Sequence, residues 1–325
     1  MNKHRDLSMD NIRAVLIFLV VLGHTLEIGP EFEGKQKWYL SIYFFHIAAF
    51  LFVSGWFSRF RPGRTVWCVI WPYVLFQSAY ILFDCAHYGW SLPVQYTTPY
   101  WLMWYLMALA FLQLLIPVYD RATVWGRGLV LCASIALALC AGYWDGIGYE
   151  LTLSRFFAFQ PWFVLGLYCS GRRHPGKWGY LWGIGGLVLA LYCGQSLLSQ
   201  KVTPLMLYCT YPYSVLQDGP GIRGLVMLTA LGAVGALMGL LRPLLDRKIP
   251  LLTAVGQNTL SVYLLHGFAM RLIAKFLPGF PGSLPASILT ALALVLVLGC
   301  PPIGKAMGFV LSDKWWKWLK ERIDR

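Results

Sequence analysis

The stretch RAVLIFLVVLGHTLEI, residues 13–28, sets an arginine, a histidine and a glutamate on one otherwise apolar run. Read as a helix at about 1.5 Å per residue, the eleven positions from Arg13 to His24 make nearly three whole turns. Both side chains then share a face, roughly 16 Å apart along the axis. Glu27 follows His24 at i+3, a spacing at which a carboxylate reaches the imidazole and influences its protonation. An ionisable group inside a membrane span costs roughly a few kcal/mol or more, so it reads as a functional group with a partner nearby.

The rest of the chain makes a membrane span the right frame. Of its 325 residues, 58% are hydrophobic and 13% charged, and the mean hydropathy is +0.59. Apolar runs near the ~20 residues needed to cross a bilayer recur, at 12–28, 38–57, 66–84, 99–118, 127–144, 154–170, 178–198, 223–241, 254–277 and 285–309. The expectation is an all-α, polytopic membrane protein of about ten transmembrane helices. Residues 1–312 form a single integral-membrane domain, and residues 313–325 a basic amphipathic cytoplasmic tail whose tryptophans and lysines suit the anionic inner leaflet. No small-x-small cleavage site follows the first run, so that span is expected to remain.

A formal charge of +13 would suit a nucleic-acid partner, but the basic residues alternate by loop. Sorted by the expected spans, 20 of the 27 fall on one side, among them Arg13, Arg59, Arg61 and Arg64. The positive-inside rule makes that side cytoplasmic and puts both termini there, which an even number of spans allows. Nucleic acid is not expected as a partner; membrane lipids are. The eight cysteines include no CxxC pair and mostly sit in apolar runs, as small buried hydrophobes do. No Walker loop, dinucleotide-binding glycine pattern or HExxH is present, so no metal and no permanently bound cofactor is expected.

Other polar residues interrupt the spans, each with a plain alternative. His46, within WYLSIYFFHIAAFLFVSGWF, and His266, within GQNTLSVYLLHGF, lie deep in apolar runs. Either could simply hydrogen-bond a neighbouring carbonyl, yet His24, His46 and His266 in three separate spans each carry a desolvation cost. Trp101 opens the fourth run as a belt aromatic or a platform for a sugar or lipid headgroup. Arg155, at the start of RFFAFQPWFVLGLY, is set to pair with a carboxylate, to bind a polar ligand, or to snorkel to water. Asn258 or Thr259 is suited to cap the ninth span.

These segments, taken in order, resemble the membrane acyltransferase family 3, and particularly its short fucose 4-O-acetylase-like branch. The resemblance rests on Asp10 and the Arg13-to-His24 spacing, on FFHIAAFLFVSGWF, on RFFAFQPWFVLGLY and on GQNTLSVYLLHGF, and it covers roughly residues 8–270. It implies a ten-helix enzyme that moves an acyl group, usually acetyl, from cytoplasmic coenzyme A to a hydroxyl of a sugar, cell-surface glycan or lipid-linked precursor facing outward. By position it carries family importance onto Arg13 and His24, and further onto His46, Arg155 and His266. The SGNH-type domain of longer members is not expected here, so the chain acts alone, with a partner protein that delivers the acceptor, or on a membrane-bound precursor.

The residue chemistry agrees with that implication. Acyl transfer to an alcohol needs a base for the hydroxyl proton, and His24, with Glu27, is the candidate as general base or as nucleophile. Arg13, Arg59, Arg61 and Arg64 are candidates to hold the coenzyme A phosphates, their alternative being topology alone. His46, Arg155, His266 and Trp101 are candidates for acceptor binding. The expected location is a bacterial inner or plasma membrane, multi-pass. A carrier or flippase for a glycan intermediate is the rival reading, against which no pair of matching interrupted helices is seen.

Overall fold

The computed structural model describes residues 6–312 apart from 90, 92, 173–175 and 217–218. The tail expected at 313–325 lies outside the described residues. The described chain is helical, without a strand. Its principal helices are α1 (Leu7–Ile28), α2 (Lys35–Tyr43), α3 (His46–Phe57), α4 (Pro62–Tyr88), α5 (Trp104–Leu114), α6 (Val124–Cys140), α7 (Leu153–Cys169) and α8 (Lys177–Leu198). They continue with α9 (Pro220–Leu244), α10 (Pro250–Gln257), α11 (Thr259–Phe276), α12 (Leu284–Leu298) and α13 (Pro301–Val310). Proline stands in the first turn of α4, α9, α10, α12 and α13, where its missing N–H is not needed.

Each of the ten apolar runs holds helix, but among the described residues six helical stretches are long and apolar enough to cross a membrane, with α2 and α3 together (Lys35–Phe57) making one of them, or seven if the bent pair α12–α13 is one span. The difference comes from breaks that a hydropathy window does not see. The run at 99–118 is split by a tight turn at Trp101–Met103 and again after Leu114. The run at 254–277 breaks at Asn258, between α10 and α11. The run at 285–309 bends by 60° between α12 and α13, where Gly299 precedes Pro301. Asn258 does not cap α11 with its side chain; it donates to the Gly299 carbonyl at 3.0 Å and so ties two of these breaks together.

α1 is the pillar of the bundle. Asp6 caps it by accepting from the Met9 amide at 3.1 Å, and Met9, Ile12, Leu16, Ile17, Val21 and Leu26 are wholly buried. It packs against α3, α10, α11 and α12, whereas α6 and α8 expose Leu129, Trp182, Leu191 and Tyr192 on the rim, as lipid-facing helices do. Asn11 fixes the depth of α1. Its Nδ2 donates to the carbonyls of Leu245 (2.9 Å) and Arg247 (2.8 Å), and its Oδ1 accepts from Thr253 Oγ1 at 2.7 Å. With every polar atom of this buried amide paired, sliding α1 would cost several hydrogen bonds at once.

Small residues let the backbones meet, as helix pairs in membranes require. A Cβ on Gly256 would lie 1.8 Å from the Asp10 carbonyl oxygen, so α10 touches α1 directly. The α3–α7 crossing is similarly close, with a Cβ on Gly55 falling 2.0 Å from Phe163 O and one on Gly166 falling 1.9 Å from Phe52 O. Gly166→Ala is therefore expected to lower the thermal unfolding midpoint in detergent, at a cost of about 1–3 kcal/mol. Gly63→Ala, with open space around it, is expected to leave it unchanged; equal midpoints for the two variants would contradict this contact.

Candidate active site

Three cavities lie beside α1, a small one, the neck, sharing lining residues with each of two larger ones. The first of the larger two, about 440 Å³, is lined by Arg13, Arg59, Arg61 and Arg64 together with Ser54, Phe57, Tyr105, Gln113 and Tyr263. The four arginines expected to hold phosphates thus line one space. Arg13 lies with its guanidinium over the Phe57 ring at 4.8 Å and its Nη2 2.5 Å from Asp10 Oδ1. Arg59 donates to Ser170 Oγ at 2.9 Å and to the Ser58 carbonyl at 2.6 Å. Arg61 and Arg64 are exposed.

The neck, about 30 Å³, shares Phe50, Tyr105 and Tyr263 with the arginine cavity and has His24 in its lining. Beyond it opens a chamber of about 120 Å³ lined by His24, Glu27, His46, Trp101, Trp104 and Arg155, with Tyr43, Tyr149 and Tyr208. His24 lines both neck and chamber, as do Ile47, Leu102 and Trp104, and is the titratable residue among the four. Its Nδ1 is 2.7 Å from Glu27 Oε2. A carboxylate only accepts, so Nδ1 carries a proton, and Nε2 is the ring nitrogen that Glu27 does not hold. The continuous α1 supplies the register for Arg13, His24 and Glu27 alike.

Arg155 is buried in the chamber wall. Its Nε donates to the Tyr208 carbonyl at 2.9 Å, its guanidinium lies 4.6 Å from the Trp104 ring centre and 5.0 Å from that of Tyr149, and its Nη1 has no partner. The expected carboxylate partner is not among the described residues; aromatic faces take that place. The Tyr39 and Tyr208 hydroxyls meet at 2.7 Å above stacked Tyr39 and Tyr43, and burial raises the Tyr208 hydroxyl above its ordinary pKa, keeping it a neutral hydrogen-bonding group. His46 Nδ1 donates to the Ile42 carbonyl at 2.8 Å, and His46 is among the residues lining the chamber. His266 is different. It is wholly buried and is not among the residues lining the chamber, the neck or the arginine cavity.

One cluster was invisible in the sequence. Asp84 on α4, fully buried, receives the Tyr100 hydroxyl and faces Arg271 Nη2 of α11 at 3.3 Å. Arg271 in turn covers the Trp101 ring at 4.5 Å, and Trp101 stands edge-on to His24 at 5.5 Å. Trp101 has φ +39, a left-handed conformation that costs a bulky residue roughly 1–3 kcal/mol and that the surrounding contacts must impose. The partners lie 187 positions apart, and no local pattern announces them. Among the described residues, no three His, Cys, Asp or Glu side chains gather to hold a metal ion.

The family whose description is "Acyltransferase domain" matches residues 6–304, nearly the whole chain. The chain belongs to that family. It is an acyltransferase carrying several apolar, membrane-compatible helices. Two similar proteins are both named Nodulation protein NolL. The one from Mesorhizobium japonicum is 22% identical over 357 positions, covering 94% of this chain and 89% of its own length. The one from Sinorhizobium fredii is 24% identical over 314 positions, covering 83% and 79%. No solved structure matches the chain.

Removing the carboxylate beneath Arg271 tests whether the buried cluster supports the chamber. Asp84→Ala should destabilise the protein by about 3 kcal/mol in detergent unfolding, and the apolar double replacement Asp84→Leu with Arg271→Met should restore much of that loss. A silent single variant would show that the ion pair supports nothing.

Proposed function

We propose that the protein moves an acyl group, acetyl in the first instance, from coenzyme A to a hydroxyl of a sugar, cell-surface glycan or lipid-linked precursor. The observation that carries the reading is the position of His24, whose ring borders both the neck and the aromatic chamber. The donor phosphates lie among Arg13, Arg59, Arg61 and Arg64 in this reading, where guanidinium forks match phosphate oxygens. The pantetheine arm passes Phe50, Tyr105 and Tyr263 and presents its thioester at His24.

The acceptor occupies the chamber, its rings against Trp101, Trp104 and Tyr149, with the unpartnered Arg155 Nη1 available to one of its oxygens. His24 Nε2 takes the hydroxyl proton as the oxygen bonds to the acyl carbon. The C–S bond breaks, and the proton passes to the departing thiolate. Glu27 holds the ring in the tautomer that leaves Nε2 free and stabilises the imidazolium. In this reading the arginine cavity faces the cytoplasm, both termini lie on that side of a bacterial inner membrane, and the ten apolar runs, some broken, make up the bundle. Neither substrate then needs to cross, and acceptor delivery falls to the membrane or to a partner protein.

Purified protein in detergent with labelled acetyl-CoA tests the reading against its rival, a carrier or flippase of glycan intermediates. The expected result is donor-dependent thermal stabilisation and slow acetyl loss to water, with the loss abolished by His24→Ala. Arg13→Lys should keep much of the donor affinity, and Arg13→Ala should weaken it about tenfold, the worth of one charge-assisted contact. No stabilisation and no acetyl loss would favour a carrier. In sided vesicles, donor supplied only at the outer face should give no transfer.

A further inference from the structure

His266 lies within α11, one turn beyond Val262, and its Nδ1 donates to the Val262 carbonyl at 2.9 Å. A carbonyl only accepts, so the proton is on Nδ1 and a lone pair remains on Nε2. That Nε2 is buried and has no hydrogen-bond partner, an arrangement proteins ordinarily avoid. Because the Nδ1 side is held back against its own helix, Nε2 is turned away from α11. Across the α1–α11 contact, the centre of the His24 ring lies 5.4 Å from that of His266, with the planes at 38°. His46 makes the same Nδ1 contact, but its ring opens on the chamber, where a substrate can reach it. His266 has no such access.

We infer that His266 is a positioning residue for His24, holding an unshared lone pair against the ring that becomes positively charged during transfer. The inference rests on His24 being the base of the proposed reaction. A neutral imidazole with its proton on Nδ1 has its negative end at Nε2. Its buried lone pair is poorly matched to a neutral neighbour and well matched to an imidazolium, so it favours the charged state of the reaction over the resting one. The acceptor proton moves to His24 Nε2 as the new C–O bond forms, then to the thiolate as the C–S bond breaks. His266 neither gains nor loses a proton.

The test uses the full-length protein in detergent and follows release of free coenzyme A from acetyl-CoA with water as acceptor. His266→Leu removes the lone pair at similar bulk, and His266→Gln keeps an acceptor near the Nε2 position. His266→Leu should lower turnover roughly 10- to 100-fold, the worth of a hydrogen bond to a charged group. The KM for acetyl-CoA and the thermal stabilisation by acetyl-CoA should be unchanged, and His266→Gln should recover most of the rate. Wild-type turnover in the leucine variant would overturn the inference, as would a glutamine variant as slow as leucine or a KM that rises in step. A wild-type protein whose coenzyme A release is untouched by His24→Ala would overturn the parent reading itself, and this one with it.

Discussion

An imidazole placed in an apolar helix must exchange the water it gives up for a fixed partner, and on α1 that partner is Glu27, one turn away. The contact decides which nitrogen carries the proton, and so which nitrogen is left for chemistry. The rest of the bundle keeps that pair at one depth. Asn11 ties the lower part of α1 to the α9–α10 connection and to Thr253, Gly256 lets α10 touch the helix backbone, and Trp101 stands against the ring from the side. In the proposed reaction Arg13 and His24 serve two substrates from one helix, which requires a fixed register, and these contacts fix it.

The same desolvation rule organises the space around the pair. Where the chain is open, toward the arginine cavity, Arg59, Arg61 and Arg64 are exposed. Where it is closed, each cation is answered locally: Arg155 by the Tyr208 carbonyl and two aromatic faces, Arg271 by Asp84 and Trp101. Asp6 and Arg242 close a further contact at 3.2 Å at the foot of α1, with Arg242 lying over Trp56. The aromatic side chains thus do two jobs, sharing the charge of buried guanidinium groups and walling the chamber.

Much of this was legible in residue order. Arg13, His24 and Glu27 share one unbroken helix, as the helical period required, and Arg59, Arg61 and Arg64 are close in sequence, between the end of α3 and the first turn of α4. The span count was less legible, because hydropathy averages across the breaks at Trp101, Asn258 and Gly299 that divide apolar runs. Contacts distant in sequence were not legible at all. Asp84 reads as an isolated acid near a helix end until Arg271 arrives from α11, and Asn11 reads as a polar blemish until the carbonyls of Leu245 and Arg247 meet it. The tautomer of His266 depends on a backbone contact that any helical histidine can make, so only the structure separates its place from that of His46.

The central claim is that one route joins the arginine cavity to the aromatic chamber through His24. A structure determined with acetyl-CoA bound measures it directly. The account predicts the phosphates among Arg13, Arg59, Arg61 and Arg64, the pantetheine arm threaded between Phe50, Tyr105 and Tyr263, and the thioester beside His24 Nε2. Phosphates seated in the aromatic chamber, or an arm that stops short of Tyr105 with the neck closed ahead of it, would contradict it.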